Sequence, residues 1–233
     1  MDRKIVLGIL SLSLIALAIA ILIPGGRAPD PNPRLPWQIE IDERGLPTVF
    51  GLTLRESTLA DAQRDFEETG DLNLFATPAD ELSVEAYFER LYLNGIRASM
   101  ILTLDVDETT LAAMYKRGAR LKQLETGNRK ISLAEEDFRS LGDARIHHIT
   151  YIPAANLDAD LISGRFGEPA RRITVRETGA EHWLYPEKGL DIALSSEGKE
   201  VFQYVVPGEF ETILEPLEAA AEKPVAAPAP TLR

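Results

Sequence analysis

Residues 84–105 read VEAYFERLYLNGIRASMILTLD, and the way this stretch resolves decides the fold. Val84, Phe88, Leu91 and Tyr92 fit one face of a helix, with Ser83 as its cap. Asn94-Gly95 argues the other way, because both central residues of a type I′ turn need positive φ and these residue types supply it most readily. Beyond the turn, Ile96, Ala98, Met100, Leu102 and Leu104 alternate with Arg97, Ser99, Ile101 and Thr103, the period of a half-buried strand. A strand on one side of a tight turn requires a strand on the other. The stretch therefore predicts a β-hairpin, residues 84–93 with 96–105.

Toward the N-terminus the chain carries a different kind of signal. Residues 5–23, IVLGILSLSLIALAIAILI, hold no charge and nothing more polar than Ser11 and Ser13. At about 1.5 Å per residue a helix of this length spans roughly 28 Å, close to the hydrocarbon thickness of a bilayer. A cleavable signal peptide is the rival reading, but its apolar core is about 7–15 residues and is followed by a small-residue site. Here the run ends in Ile23-Pro24, and Ala18-Ile19-Ala20 lies inside it. A retained transmembrane helix is expected. Arg3 and Lys4 precede the span, which favours residues 1–4 as a cytoplasmic tail. The rest of the chain would then face the periplasm from a bacterial inner membrane.

Residues 24–36, PGGRAPDPNPRLP, contain five prolines and two glycines. Such a segment reads as an extended, semi-rigid linker. The formal net charge is −12, and residues 1–27 hold three basic groups against one acidic, so the remainder carries −14. An acidic domain is poorly suited to nucleic acid, whose phosphates require basic contacts. There is no cysteine, which excludes disulfides, thiol catalysis, cysteine-ligated metals and a lipid-modified N-terminal cysteine.

Elsewhere the pattern is of short helices and strands. Trp37 to Ile41 alternates as a first strand, and residues 49–54 form a short strand or loop. Ser57 or Thr58 can cap a helix, with Asp61 three residues after Thr58; its apolar side is Leu59, Ala62 and Phe66, with Gly70 as a stop. Residues 72–75 return as extended chain. Asp107 caps a helix carrying Leu111, Met114 and Tyr115 and ending at Gly118. Thr126-Gly127-Asn128 turns between two short extended pieces, and Ser132 with Glu135 forms a capping box for a brief helix. Residues 145–152 form a strand with Ile146, His148 and Thr150 on one side and His147, Ile149 and Tyr151 on the other. A helix over 157–166 turns Leu157, Leu161 and Phe166 inward. Strands follow at 172–176, 181–185, 190–194 and 200–206, then a weak helix near 211–221.

The result is an α+β fold: an N-terminal transmembrane helix, then short helices packed on antiparallel β-meanders. Two tandem related modules, 37–142 and 143–214, are expected, with a disordered Pro/Ala tail over 215–233. Residues 52–104 and 157–207 share one plan, a short helix ending in Gly, an extended segment and a meander. In the second copy a helix closes on Phe166-Gly167-Glu168-Pro169. An aromatic strand follows at His182-Trp183-Leu184-Tyr185, then 190–194 and Glu197-Gly198-Lys199-Glu200-Val201. With these features it resembles the small outer-membrane lipoprotein subunit of the β-barrel assembly machinery and the two-layer α+β family around it. The resemblance covers about fifty of 233 residues. It implies helices on an antiparallel sheet and a non-enzymatic role in binding envelope proteins. The lipid-acceptor cysteine of that subunit is missing here.

The chemistry-bearing residues form no known catalytic pattern. His147 and His148 are adjacent on a predicted strand, where neighbours point to opposite faces, so they are not expected to share a metal. His182 stands apart from them. Glu135-Glu136-Asp137 sits in the first turn of a helix, where negative charge suits the macrodipole. Asp105, Asp107 and Glu108 lack the Gly and distal Glu of a calcium loop and read as a helix start. Trp183 and Tyr185 on one strand, and Phe202, Tyr204 and Val206 on another, read as core. No catalytic, cofactor-binding or metal-ligating residue is assigned, and no cofactor is expected. The functional expectation is a membrane-anchored periplasmic adaptor or scaffold that binds other envelope proteins and touches the membrane only through its N-terminal helix. A carboxylate-dependent envelope hydrolase and a small-ligand or lipid-binding domain are the alternatives.

Overall fold

The computed structural model describes residues 34–119, 121–124, 127–195 and 198–222. The expected membrane span at 5–23 and the tail beyond Glu222 lie outside the described residues. Among those described, no helix is long and apolar enough to cross a membrane.

Three short strands, β1 (Glu40–Ile41), β2 (Pro47–Val49) and β3 (Leu52–Thr53), form a small antiparallel sheet. Helix α1 (Leu59–Phe66) follows, then β4 (Asp71–Ala76), β5 (Leu82–Leu93) and β6 (Ile96–Asp105). Next come α2 (Glu108–Arg117), β7 (Leu121–Gln123), β8 (Arg129–Ile131), α3 (Glu135–Ser140) and β9 (Arg145–Pro153). The last part is α4 (Ala159–Phe166), β10 (Arg171–Thr174), β11 (Glu181–Tyr185), β12 (Leu190–Leu194), β13 (Val201–Tyr204) and α5 (Glu211–Glu222). Strands β4 to β13 make one ten-stranded sheet in the order β10-β11-β12-β13-β9-β6-β5-β4-β8-β7. Every pairing is antiparallel. The two segments expected as separate modules meet at β6 and β9, paired from Ala98↔Pro153 to Asp105↔Arg145, and so share this sheet. Their common plan is visible, with α1 leading to three strands of a meander and α4 to four.

The decisive hairpin forms as expected, with Asn94 at φ 50 and Gly95 at φ 81. Its inward residues explain the rival helical reading. Val84, Ala86 and Phe88 are buried, then Leu91 and Leu93, because a bulge between Phe88 and Leu91 shifts the alternation by one. The carbonyl of Glu89, freed by the bulge, accepts a hydrogen bond from Ser99 Oγ at 2.7 Å.

Helices α1, α2 and α4 bury Leu59, Ala62, Leu111, Met114, Ile162 and Phe166 on one side of the sheet. The expected aromatic residues Trp183, Tyr185, Phe202 and Tyr204 lie in the same core. Phe50 stacks on Tyr151 with ring centroids 4.8 Å apart, and Phe202 meets Tyr151 edge-on at 5.7 Å. Tyr204 hydroxyl, fully enclosed, donates to the Pro36 carbonyl at 2.9 Å and so satisfies its polar end.

Several local expectations change. Helix α1 ends at Phe66 with Glu67 in the left-handed region, three residues before Gly70. Ser132 is not a cap: its carbonyl accepts from Ala119 N at 3.1 Å, which keeps it in extended chain, and α3 starts two residues later behind Ala134. In α4 it is Ile162 that faces the core, one turn from Phe166, while Leu161 is 41% exposed. Helix α5 continues through Pro216 to Glu222, so residues 215–222 are helical instead of tail. Its Ile213, Leu214, Leu217 and Ala221 pack on Ile173, Leu184, Val205 and Phe210, a second cluster on the opposite face of the sheet. That burial outweighs the backbone bond lost at Pro216.

Candidate functional site

The chemically richest place lies where β9 begins beside the end of β6. Across this pair Thr103 faces His148 and Leu104 faces Ile146, so His147 is an extra residue in a bulge. Ile146 and Ile149 both enter the core, and the two residues between them stay half-buried on the opposite face. The expectation that His147 and His148 point apart is therefore corrected. Their imidazoles stack with centroids 3.9 Å apart and an interplanar angle of 21°.

Glu209 reaches the same spot from the 3-10 turn Pro207–Glu209 that leads into α5. His147 Nε2 is 3.3 Å from Glu209 Oε2. Arg55, held at φ 67 in the loop after β3, donates from Nη2 to both Glu209 oxygens at 2.8 Å and from Nη1 to Asp105 Oδ2 at 2.9 Å. The Arg55 backbone N–H also donates to the Ile146 carbonyl at 2.8 Å, which ties this loop to the bulge. One nitrogen, His148 Nε2, is enclosed and has no hydrogen-bond partner.

The electrostatics keep both rings neutral. Burial, then the Arg55 cation, hold His147 below its ordinary value against the pull of Glu209 and Asp105. Burial, then the neighbouring His147, bring His148 down to about 4. Two imidazoles and a carboxylate, with ligand atoms within 4.8 Å of one another, make a donor set that could hold a transition-metal ion.

The other sequence-singled residues go elsewhere. His182 lies on β11, with Nδ1 2.8 Å from Asp191 Oδ2 on β12. Burial raises the Asp191 carboxyl despite that bond, and its Oδ1 is unpartnered. Of the Glu135-Glu136-Asp137 run, Asp137 is buried and bound by Arg117, which also meets Glu136 at 3.2 Å. Asp107 caps α2 by accepting from Thr110 N at 3.0 Å, as expected, whereas Asp105 serves Arg55.

Glu85 on β5 is a second carboxyl raised by burial, opposed by a hydrogen bond from Ser83. Glu85 and Asp191 share a face of the sheet but are four strand steps apart. That is roughly 19 Å along the sheet, while paired glycosidase carboxyls sit about 5–9.5 Å apart. These two cannot work as such a pair.

No protein-family model, curated protein or solved structure matches this chain.

Sequence reasoning missed Arg55 and Glu209, which are separated by 154 positions and carry no local pattern. The bulge had one trace: Ile146 and Ile149 are three apart, a spacing that strict alternation cannot bury on one face.

Proposed function

We propose that this chain is a membrane-anchored, non-catalytic adaptor or scaffold that binds other envelope proteins from the periplasmic side of a bacterial inner membrane. The observation that carries the binding role is the sheet face opposite the main core, over β4, β5, β6 and β9. Among the described residues no helix packs on this part of the sheet, since α1, α2 and α4 lie on the other face and α5 lies at the β10 end. It presents Phe75, Tyr87, Tyr92, Ile101, Thr103, Thr150 and Ile152, each half-buried or exposed, with Tyr92 70% exposed. Aromatic side chains such as Tyr87 and Tyr92 at a surface are enriched in protein interfaces. The strong negative charge of the remaining chain favours a partner presenting basic or neutral polar groups.

The expected anchor and linker and the C-terminal resemblance to an envelope lipoprotein support this location. Filled aromatic packing between helices and sheet favours this reading over a ligand-binding cavity.

The test is site-specific photocrosslinking in cells, with the crosslinker placed in the full chain at Tyr87, Tyr92 or Ile101, and at Phe138 as a control off this face. The expected result is one recurrent envelope protein from the sheet-face positions and none from Phe138. Absence of adducts from the face, or identical adducts from Phe138, overturns the proposal. A phosphatase reporter fused to the C-terminus checks the topology: it should be active only on the periplasmic side.

A further inference from the structure

We infer that His147, His148 and Glu209 form a binding site for a borderline divalent transition-metal ion of the zinc type. The inference stands apart from the adaptor reading and holds whichever partner the sheet face takes.

The three residues come from two separate places, the β9 bulge and the turn before α5, and their ligand atoms lie within 4.8 Å of one another. Around tetrahedral zinc, ligands at about 2.0–2.2 Å from the metal are roughly 3.2–3.6 Å from each other. The His147 Nε2 to Glu209 Oε2 distance of 3.3 Å already meets that requirement. His148 Nε2 is the second, independent observation. A buried ring nitrogen without a partner is costly, and this one belongs to a residue of the same three-residue cluster. A metal ion would supply the missing partner, with side-chain rotation closing the remaining gap.

Arg55 has a definite place in this arrangement. Its Nη2 donates to both oxygens of Glu209, so one oxygen can turn to the metal while the other stays on the guanidinium, which remains fixed by Asp105. Carboxylate ligands held this way by an outer partner are oriented for binding. Two nitrogens and one oxygen select zinc, nickel, cobalt or copper over magnesium or calcium, and they leave a fourth position open to water.

The experiment is zinc titration of the purified full chain against a chromophoric chelator. It compares wild type with His147→Gln, His148→Gln and Glu209→Gln, and with His182→Gln as the control histidine. The expected result is one saturable equivalent, weakened about tenfold or more in each ligand variant and unchanged in His182→Gln. Because a variant can fail to fold, imidazole-selective NMR of the wild type is the second measurement. Zinc should shift the His147 and His148 resonances and leave those of His182 in place. No saturable binding by the wild type, zinc shifts that involve His182 equally, or affinity indifferent to the three substitutions overturns the proposal.

Discussion

His147 and His148 are consecutive in the chain, yet their rings lie face to face, 3.9 Å between centroids, on the same side of β9. Burial penalises a protonated imidazole here, and repulsion between two of them at that separation adds to the penalty. His148 is accordingly held at about 4 in the fold against an ordinary value of 6.5. Between these values the unfolded chain takes up a proton that the folded chain refuses. The stability from this residue is thus present above pH 6.5 and is lost as pH falls toward 4, a change on the order of 3 kcal/mol if undamped. Glu85 and Asp191 act in the opposite sense, since burial raises them and their contribution declines as pH rises. The His148 part is isolated by difference. Urea midpoints from pH 7.5 to 4 should fall more steeply for wild type than for His148→Asn. Parallel curves would show that His148 protonates freely in the fold.

Gly189 sits where a side chain has no room. It closes the turn between β11 and β12 at φ +61, its carbonyl accepts from Val205 N at 2.8 Å, and a Cβ would lie 2.0 Å from the Val205 carbonyl oxygen. Gly95 has φ +81 and open space around it. Gly95→Ala should cost only the left-handed backbone penalty, about 1 kcal/mol. Gly189→Ala adds displacement of backbone joined to β13, and should cost about 3 kcal/mol or more. Equal shifts in the urea midpoint would show that the strand next to Gly189 gives way freely.

Asp137 is one of four buried polar or charged residues among those described, and Arg117 is its cation. The pair joins the end of α2 to α3 through Arg117 Nη2 on Oδ1 and Nε on Oδ2. Arg117→Ala would strand a buried carboxylate. Because Arg117 itself is 41% exposed, the loss should fall below that of a fully buried pair. Replacing both groups removes the stranded charge, so Arg117→Ala with Asp137→Leu should be more stable than Arg117→Ala alone. Chemical denaturation of the three variants gives the answer. A double variant worse than the single would mean that Asp137 has other polar support.

The hairpin and the C-terminal meander were legible because their information is local. Asn94-Gly95 sets its own turn, and the strands on either side bury alternate residues against one core. The polar cluster was not legible, for a geometric reason. The bulge at His147 exists because β9 must pair with β6 in one register near Thr103 and another near Leu104. That constraint is imposed by a strand forty residues earlier in the chain. Glu209 and Arg55 meet it through loops whose course depends on the whole sheet. The helix expected over 211–221 matches α5, and it is the start of the tail at 215 that fails, for a similar reason. Pro216 and an alanine-rich end look like a stop, until Leu217 and Ala221 are seen to cover Ile173 and Leu184.

Thr58 and Ser132 both precede a helix by the spacing of a capping box, and only one of them caps. Thr58 Oγ1 accepts from Asp61 N at 3.2 Å, and Asp61 Oδ2 accepts from Thr58 N at 2.9 Å, so two backbone donors are satisfied reciprocally. Those hydrogen bonds hold Asp61 below its ordinary value of 3.8, so the cap supports folding above that value and weakens as pH falls through the lowered one. Helix α3 has no side-chain cap at all. Thr58→Ala should therefore lower stability by about 1 kcal/mol at neutral pH, whereas Ser132→Ala should stay within about 0.5 kcal/mol of wild type. Thermal unfolding at pH 7 and again near pH 2 checks both parts. The Thr58→Ala deficit should shrink in acid, and the Ser132→Ala curve should follow wild type at both. A deficit of the same size for Ser132→Ala would place a cap where α3 has none and move the start of that helix.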